Sequence, residues 1–230
     1  MKHETLIIGS SPFAIKYAKH HQNVRVLERG GLLDPIFYGT LNGFRVSDKN
    51  NEYSLLFENT WEGFRDLGYS EVVLSEYVLN NKINVSFFTE IVKIERDSIY
   101  KVTYFDNGGL HTEDFERIID CRTKEANNCY NIIVQCQNAP EGDFTLLEAL
   151  GNNSYLLQFV FEKDVTVAEA KAKALEGIKS IHGLKWLTSA SRTYALKNSD
   201  CFTDDLGILH LAPMSFVTPE NAFKAGEALD

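Results

Sequence analysis

Six residues near the start of the chain, Gly9-Ser10-Ser11-Pro12-Phe13-Ala14, have types and spacing suited to holding a phosphate. They follow a short apolar run, Glu4-Thr5-Leu6-Ile7-Ile8, and lead into Phe13, Ala14, Tyr17 and Ala18 at helical spacing. Gly9 has no Cβ, so the backbone can turn sharply there. Ser10 or Ser11 can cap the first helical turn. Pro12 suits the first helical position, because its missing N–H would be unpaired there anyway. The free N–H groups and the positive end of the helix dipole then face an anion. Val24-Arg25-Val26-Leu27 reads as a second strand ending on Glu28, an acid placed to accept hydrogen bonds from ribose hydroxyls. Strand, tight turn, helix, strand and terminal acid form the pattern that binds a dinucleotide. The usual turn is GxGxxG or GxGxxA; here the first Gly and final Ala stand and the middle Gly is Ser11. The same order also describes an ordinary strand–helix–strand unit opening any α/β domain.

The elements that must position these groups come from a chain of 230 residues, 44% of them hydrophobic, enough for one large domain or two small ones. A net charge of −9, with no basic cluster, disfavours nucleic acid and anionic membrane as partners. The chain enters a strand almost at once and has no apolar run of membrane-helix length, which reads as no signal peptide and a cytoplasmic protein. Cys121, Cys129, Cys136 and Cys201 fall at no metal-type spacing and read as reduced thiols, so no metal site is expected.

Residues 32–51, with Tyr38, Gly39, Gly43 and Arg45, read as loop. Two helices are expected next, 53–67 and 70–80, separated by Gly68 and with Ser70 capping the second. Short strands follow at 83–87, 90–95 and 99–105. Asp106-Asn107-Gly108-Gly109 signals a hairpin turn, and 115–121 reads as a buried strand. Residues 122–201 read as a second unit, βαβ-like in content, with strands at 130–135, 155–161 and 186–196 and an amphipathic helix at 166–181. An apolar strand at 206–211, a turn at 212–217 and a helix from Thr218-Pro219-Glu220 close the chain.

In this order the chain resembles the FAD-dependent oxidoreductases of the glutathione-reductase type, in the branch of aromatic hydroxylases, amine oxidases and halogenases. The likeness rests on four segments: 6–14 with 24–30; the strand around Ile91; the hairpin followed by Arg117-Ile118-Ile119-Asp120-Cys121-Arg122-Thr123; and 207–228. The family's Ala-Thr-Gly motif reads Cys121-Arg122-Thr123 here, and its Gly-Asp pair reads Ala212-Pro213. The resemblance implies an α/β fold: a Rossmann-like FAD-binding domain of central parallel sheet plus β-meander, 1–121 and 202–230, with an inserted α+β substrate or cap unit, 122–201. It implies FAD as cofactor. Gly9, Ser10, Ser11 and Pro12 would lie at the diphosphate, Glu28 and Arg29 at the ribose and adenine, and Ile91 and Cys121 beside them. Pro213, Asn221 and Ala222 would lie toward the isoalloxazine, where a helix N-terminus stabilises negative charge on reduced flavin.

The expected function is that of a small flavoprotein oxidoreductase transferring hydride or electrons on a small organic substrate, or through a partner protein, with oligomerisation open. The alternative is a non-catalytic member that keeps the fold as a subunit or scaffold; a single-domain NAD(P) enzyme fits the closing order less well. Among six histidines, His20 and His21 end the first helix, where cationic imidazole suits the dipole. His210, in the closing strand, is the candidate catalytic base, with a buried structural histidine as the other reading.

Overall fold

The computed structural model describes residues 4–41, 52–57, 67–122, 128–151, 153–162, 165–194, 201–211 and 219–229. The opening unit forms as its sequence predicts: β1 (Thr5–Ile8), α1 (Pro12–His20) and β2 (Val24–Leu27). Ser11 caps α1, its Oγ accepting from the Ala14 N–H, and Pro12 holds the first position. Residues 32–41 are not irregular throughout. They hold α2 (Pro35–Gly39), started by Asp34, whose carboxylate accepts from the Phe37 N–H. An Asp-Pro pair is a helix start that the flanking glycines obscure in sequence.

Next come α3 (Glu52–Leu55) and α4 (Leu67–Asn80). The expected 53–67 helix is cut short, since Leu56 and Phe57 form a turn after α3; residues 58–66, with Trp61 and Phe64, lie outside the described residues. Because α4 starts at Leu67, Gly68 lies inside it and Ser70 is no cap. A helical glycine costs about 1 kcal/mol, less than is gained by burying Val73, Leu74, Tyr77 and Val78 on one face.

The strands β3 (Asn84–Ser86), β4 (Glu90–Arg96), β5 (Tyr100–Asp106), β6 (Gly109–Phe115) and β7 (Arg117–Asp120) fall where alternation and the hairpin signal predict. After them come β8 (Cys129–Gln135), β9 (Thr145–Gly151), β10 (Ser154–Val160), α5 (Val167–Ile178), β11 (Lys185–Ser189), β12 (Phe202–Thr203), β13 (Leu209–His210) and α6 (Pro219–Ala228). A capping box at Thr166 and Glu169 starts α5.

One sheet has the order β12-β13-β7-β1-β2-β3, with every pair parallel except β12–β13. Its centre, β1, is buried on both faces. Ile7 faces α1 and α6, while Leu6 and Ile8 face the antiparallel meander β4-β5-β6 through Tyr100, Val102, Tyr104 and Phe115. A strand covered on both sides reads as a continuous apolar run, which is why it was legible.

The third sheet, β11-β8-β10-β9, is antiparallel throughout, so 122–201 is not βαβ-like in its strand pairing. Ala170, Ala174 and Ile178 of α5 cover it. β9 was not foreseen: Thr-Leu-Leu-Glu-Ala-Leu has helix-forming composition. Pairing of Leu146 and Leu147 with Leu157 and Leu156 of β10 decides the matter. All four cysteines are free, with Cys201 alone exposed.

Lys16 of α1 is 2% exposed and pairs with Glu52, which also accepts from Lys19 Nζ at 3.0 Å and from the Tyr77 hydroxyl at 3.2 Å. Partial burial works to raise the Glu52 carboxyl, but Lys16 and Lys19 outweigh it and hold the group at about 2 against an ordinary 4.5. A depressed carboxyl stabilises the fold fully above its unfolded value and loses that contribution as pH falls through its folded value. Glu52→Gln is therefore expected to be less stable than wild type near neutral pH. The gap should close between pH 4.5 and about 2, as read by urea midpoints. A gap that persists unchanged at the acid end would exclude the ion pair as its cause.

Candidate functional site

The carboxyl ends of β1, β2 and β7 open onto a cavity of about 490 Å³. This is where ligands sit on open parallel sheets. Gly9 and Ser10 line it after β1, Glu28, Arg29 and Gly30 after β2, and Cys121 and Arg122 after β7. Thr89, Glu90 and Ile91 close one side, Pro35 and Ile36 of α2 another, and Arg192 enters from beyond β11. Six predicted contact residues, Gly9, Ser10, Glu28, Arg29, Ile91 and Cys121, thus share one cavity.

Gly9 has φ +92° and donates its N–H to the Leu27 carbonyl at 2.8 Å. A Cβ there would lie 3.3 Å from Arg122 Cγ and 3.5 Å from the Cys121 carbonyl carbon. The left-handed φ and this close approach both call for glycine.

Glu28 is 5% exposed and ties the two strand ends together. Its Oε2 accepts from the Ser10 N–H and the Ser10 hydroxyl, each at 2.8 Å, and its Oε1 accepts from the Gly30 N–H at 2.8 Å. A carboxylate offers about four lone-pair sites. Three protein donors leave one for a ribose hydroxyl. The Ser10 N–H, expected to face a phosphate, turns to this acid.

Arg29 is 80% exposed and pairs with Glu90 at 2.6 Å. Arg122 makes a fork-on-fork pair with Asp120, Nε and one terminal nitrogen each donating at 2.9 Å. Cys121 is buried beside Ser11. Burial first, then the Asp120 carboxylate, push its thiol well above the ordinary value, so it stays neutral. Ser11 and Pro12 lie in the buried start of α1 and are not among the cavity's lining residues.

His210 is 6% exposed and lies behind this wall. Its Nε2 is 2.9 Å from Asp204 Oδ2, its Nδ1 is 3.6 Å from Asp120 Oδ2, and its ring stacks on Phe202 at 4.7 Å. Burial acts to raise the Asp204 carboxyl. His210 and the N–H groups of Ile208 and Leu206 overcome this and hold it below the usual carboxylate range. The histidine thus joins two aspartates, one of which anchors Arg122.

At the start of α6, Glu220 is fully buried and accepts from the Ser54 hydroxyl at 3.1 Å. Asn221 is exposed, and Ala222 packs in the core with Ile7 and Phe13. Neither is among the lining residues of the cavity. Pro213, with the 212–217 turn and Thr218, lies outside the described residues. Among the described residues no group of three or more His, Cys, Asp or Glu side chains could hold a metal ion.

Two arginines of the wall were not among the predicted contacts. Arg122 was visible only as a departure from a motif. Arg192 carried no signal, since nothing near it in sequence marks a site.

No family model matches the sequence, and no curated protein matches it. Solved structures do match the fold. The anhydrotetracycline hydroxylase OxyS from Streptomyces rimosus is 14% identical over 98% of this chain and 62% of its own, with a TM-score of 0.56. BexE, studied for oxidation during BE-7585A biosynthesis, is 12% identical over 97% of this chain and 60% of its own, with a TM-score of 0.61. A flavoprotein/dehydrogenase from Cytophaga hutchinsonii is 11% identical over 99% of this chain and 76% of its own, with a TM-score of 0.54. The chain therefore spans about three-fifths of the first two, 62% and 60%. It shares its mixed α/β fold, a largely parallel sheet with antiparallel sheets, with a hydroxylase and a flavoprotein.

Proposed function

We propose that this chain binds FAD, with the adenosine diphosphate half in the cavity over Gly9 and Glu28, and serves as an oxidoreductase on a small organic substrate. The observation that carries this reading is the meeting of Gly9, Ser10, Glu28, Arg29, Ile91 and Cys121 around one cavity at the carboxyl ends of β1, β2 and β7, in a fold shared with hydroxylases and a flavoprotein. On this reading the first sheet and meander form a Rossmann-type FAD domain, 1–121 and 202–230, and 122–201 supplies a substrate or cap unit. A cytoplasmic setting accompanies it; no helix among the described residues is long and apolar enough to cross a membrane.

The residues present fit the adenosine diphosphate half. The cavity is within the usual range for ligand sites, about 300–1,000 Å³, and at Gly9 a Cβ would press on the Arg122 stem that lines it, at 3.3 Å. Bound FAD would supply hydride and electron transfer. The chain's own part is to hold it: Gly9 admits the diphosphate, Glu28 accepts a ribose hydroxyl on its remaining lone pair, and the backbone at Ile91 meets the adenine. His210 bridges Asp204 and Asp120 and so positions the Arg122 anchor.

The test is the visible spectrum of the purified protein, before and after incubation with FAD. Flavin bands surviving gel filtration, at about one flavin per chain, are expected. A colourless protein that takes up no FAD would overturn the reading.

Such a protein would instead be a non-catalytic subunit of the same fold. Two observations favour that alternative. Glu28 already closes the turn on Ser10, and buried Glu220 places a carboxylate in the first turn of α6. There the resemblance would have the flavin's negative charge.

A further inference from the structure

Among the described residues three arginines line the cavity, and they differ in what they hold. Arg29 pairs with Glu90, and Arg122 with Asp120. The Arg192 guanidinium has no hydrogen-bond or ion-pair partner among the described residues. Its backbone, however, is held on both sides. The N–H groups of Ser191 and Arg192 donate to the Gly39 carbonyl at 2.9 and 3.1 Å. Two residues on, buried Tyr194 exchanges backbone hydrogen bonds with Cys129 at 2.8 and 3.1 Å. The Arg192 stem lies along Gly39, where a Cβ would be 2.9 Å from its Cδ. A cation on a fixed stalk therefore faces a cavity in which the Ser10 N–H has been turned away to Glu28.

We propose that Arg192 binds the diphosphate of the nucleotide, closing the site from the segment that follows the antiparallel sheet. The inference rests on the nucleotide reading above and deepens it. A diphosphate needs positive donors to replace its water, and guanidinium suits it in charge and in paired N–H geometry. With Ser10 committed to Glu28, Arg192 is, among the described wall residues, the cationic donor left free. Retention of the nucleotide then depends on the packing of the Gly39 turn against the Ser191–Arg192 backbone.

The experiment titrates ADP, adenosine and FAD into wild type, Arg192→Ala, Arg192→Lys and Arg192→Glu by calorimetry, at two salt concentrations. Arg192 is exposed, so the variants should fold, which circular dichroism checks. Losing one charge-assisted contact should weaken ADP and FAD by about tenfold in Arg192→Ala. Adenosine affinity should be unchanged, Arg192→Lys should recover part of the loss, Arg192→Glu should lose more, and the salt dependence seen in wild type should be reduced. ADP and FAD affinities in Arg192→Ala equal to wild type would overturn the proposal. So would an equal loss for adenosine, which carries no phosphate. Wild-type protein that binds neither ADP nor FAD would overturn the nucleotide reading itself, and this inference with it.

Discussion

Gly226→Val is expected to lower the melting temperature by about 2–12 °C, the result of roughly 1–3 kcal/mol of overpacking in a chain of this size. A Cβ on Gly226 would lie 2.4 Å from the carbonyl oxygen of Phe13, 2.9 Å from the backbone nitrogen of Tyr17 and 3.0 Å from Lys16 Cβ. Two of these are backbone atoms of α1, so no rotamer change relieves the contact. The helices must part, and with them the packing of Ala14 and Tyr17 against Ala222. Gly226→Ala decides between two effects of opposite sign. Helix propensity alone would stabilise by about 1 kcal/mol, whereas the contact with Phe13 destabilises by more. Thermal and urea unfolding should therefore show a loss. A gain would mean that α1 and α6 do not cross this closely. Gly177→Ala on α5, whose Cβ would meet only Phe159 Cε1 at 3.3 Å, serves as the comparison and should cost less.

The second large effect is at Gly9. Gly9→Val should abolish detectable FAD and ADP binding and cost about 1–3 kcal/mol of stability from backbone strain. The φ of +92° is one that a β-branched residue rarely adopts. The added Cβ also presses on Arg122 Cγ at 3.3 Å, while Arg122 is held by its two bonds to Asp120. On the proposed pose, a branched side chain at this turn competes with the diphosphate for its place. Flavin fluorescence titration with parallel melting curves separates the two consequences. A variant that melts early but binds FAD as wild type does would remove the diphosphate from this turn.

Much of the frame was readable because its signals are local. The cap at Ser11, Pro12 behind it and the turn at Asn107-Gly108 are each set by residues within a few positions of themselves. Strand β1 was readable for another reason: burial on two faces leaves no polar alternation to confuse with a helix. What failed was non-local. β9 exists because β10 pairs with it, against its own helix-like composition. Lys16 looks like a solvent-facing helix residue, yet Glu52 and Glu227 from two other elements allow it to be buried.

The cavity shows the same division. By itself the sequence determined which groups lie at the ends of β1, β2 and β7, because strand order and tight turns bring Gly9, Glu28 and Cys121 to one edge of one sheet. It left open where those groups would point. Glu28 turned inward to Ser10 and Gly30 because a carboxylate with little access to water takes the N–H and O–H donors nearest to it. Arg192 reached the cavity through contacts of its segment with Gly39, more than a hundred and fifty residues away in the chain, and with Cys129. No local pattern encodes such a contact; only the packed structure does.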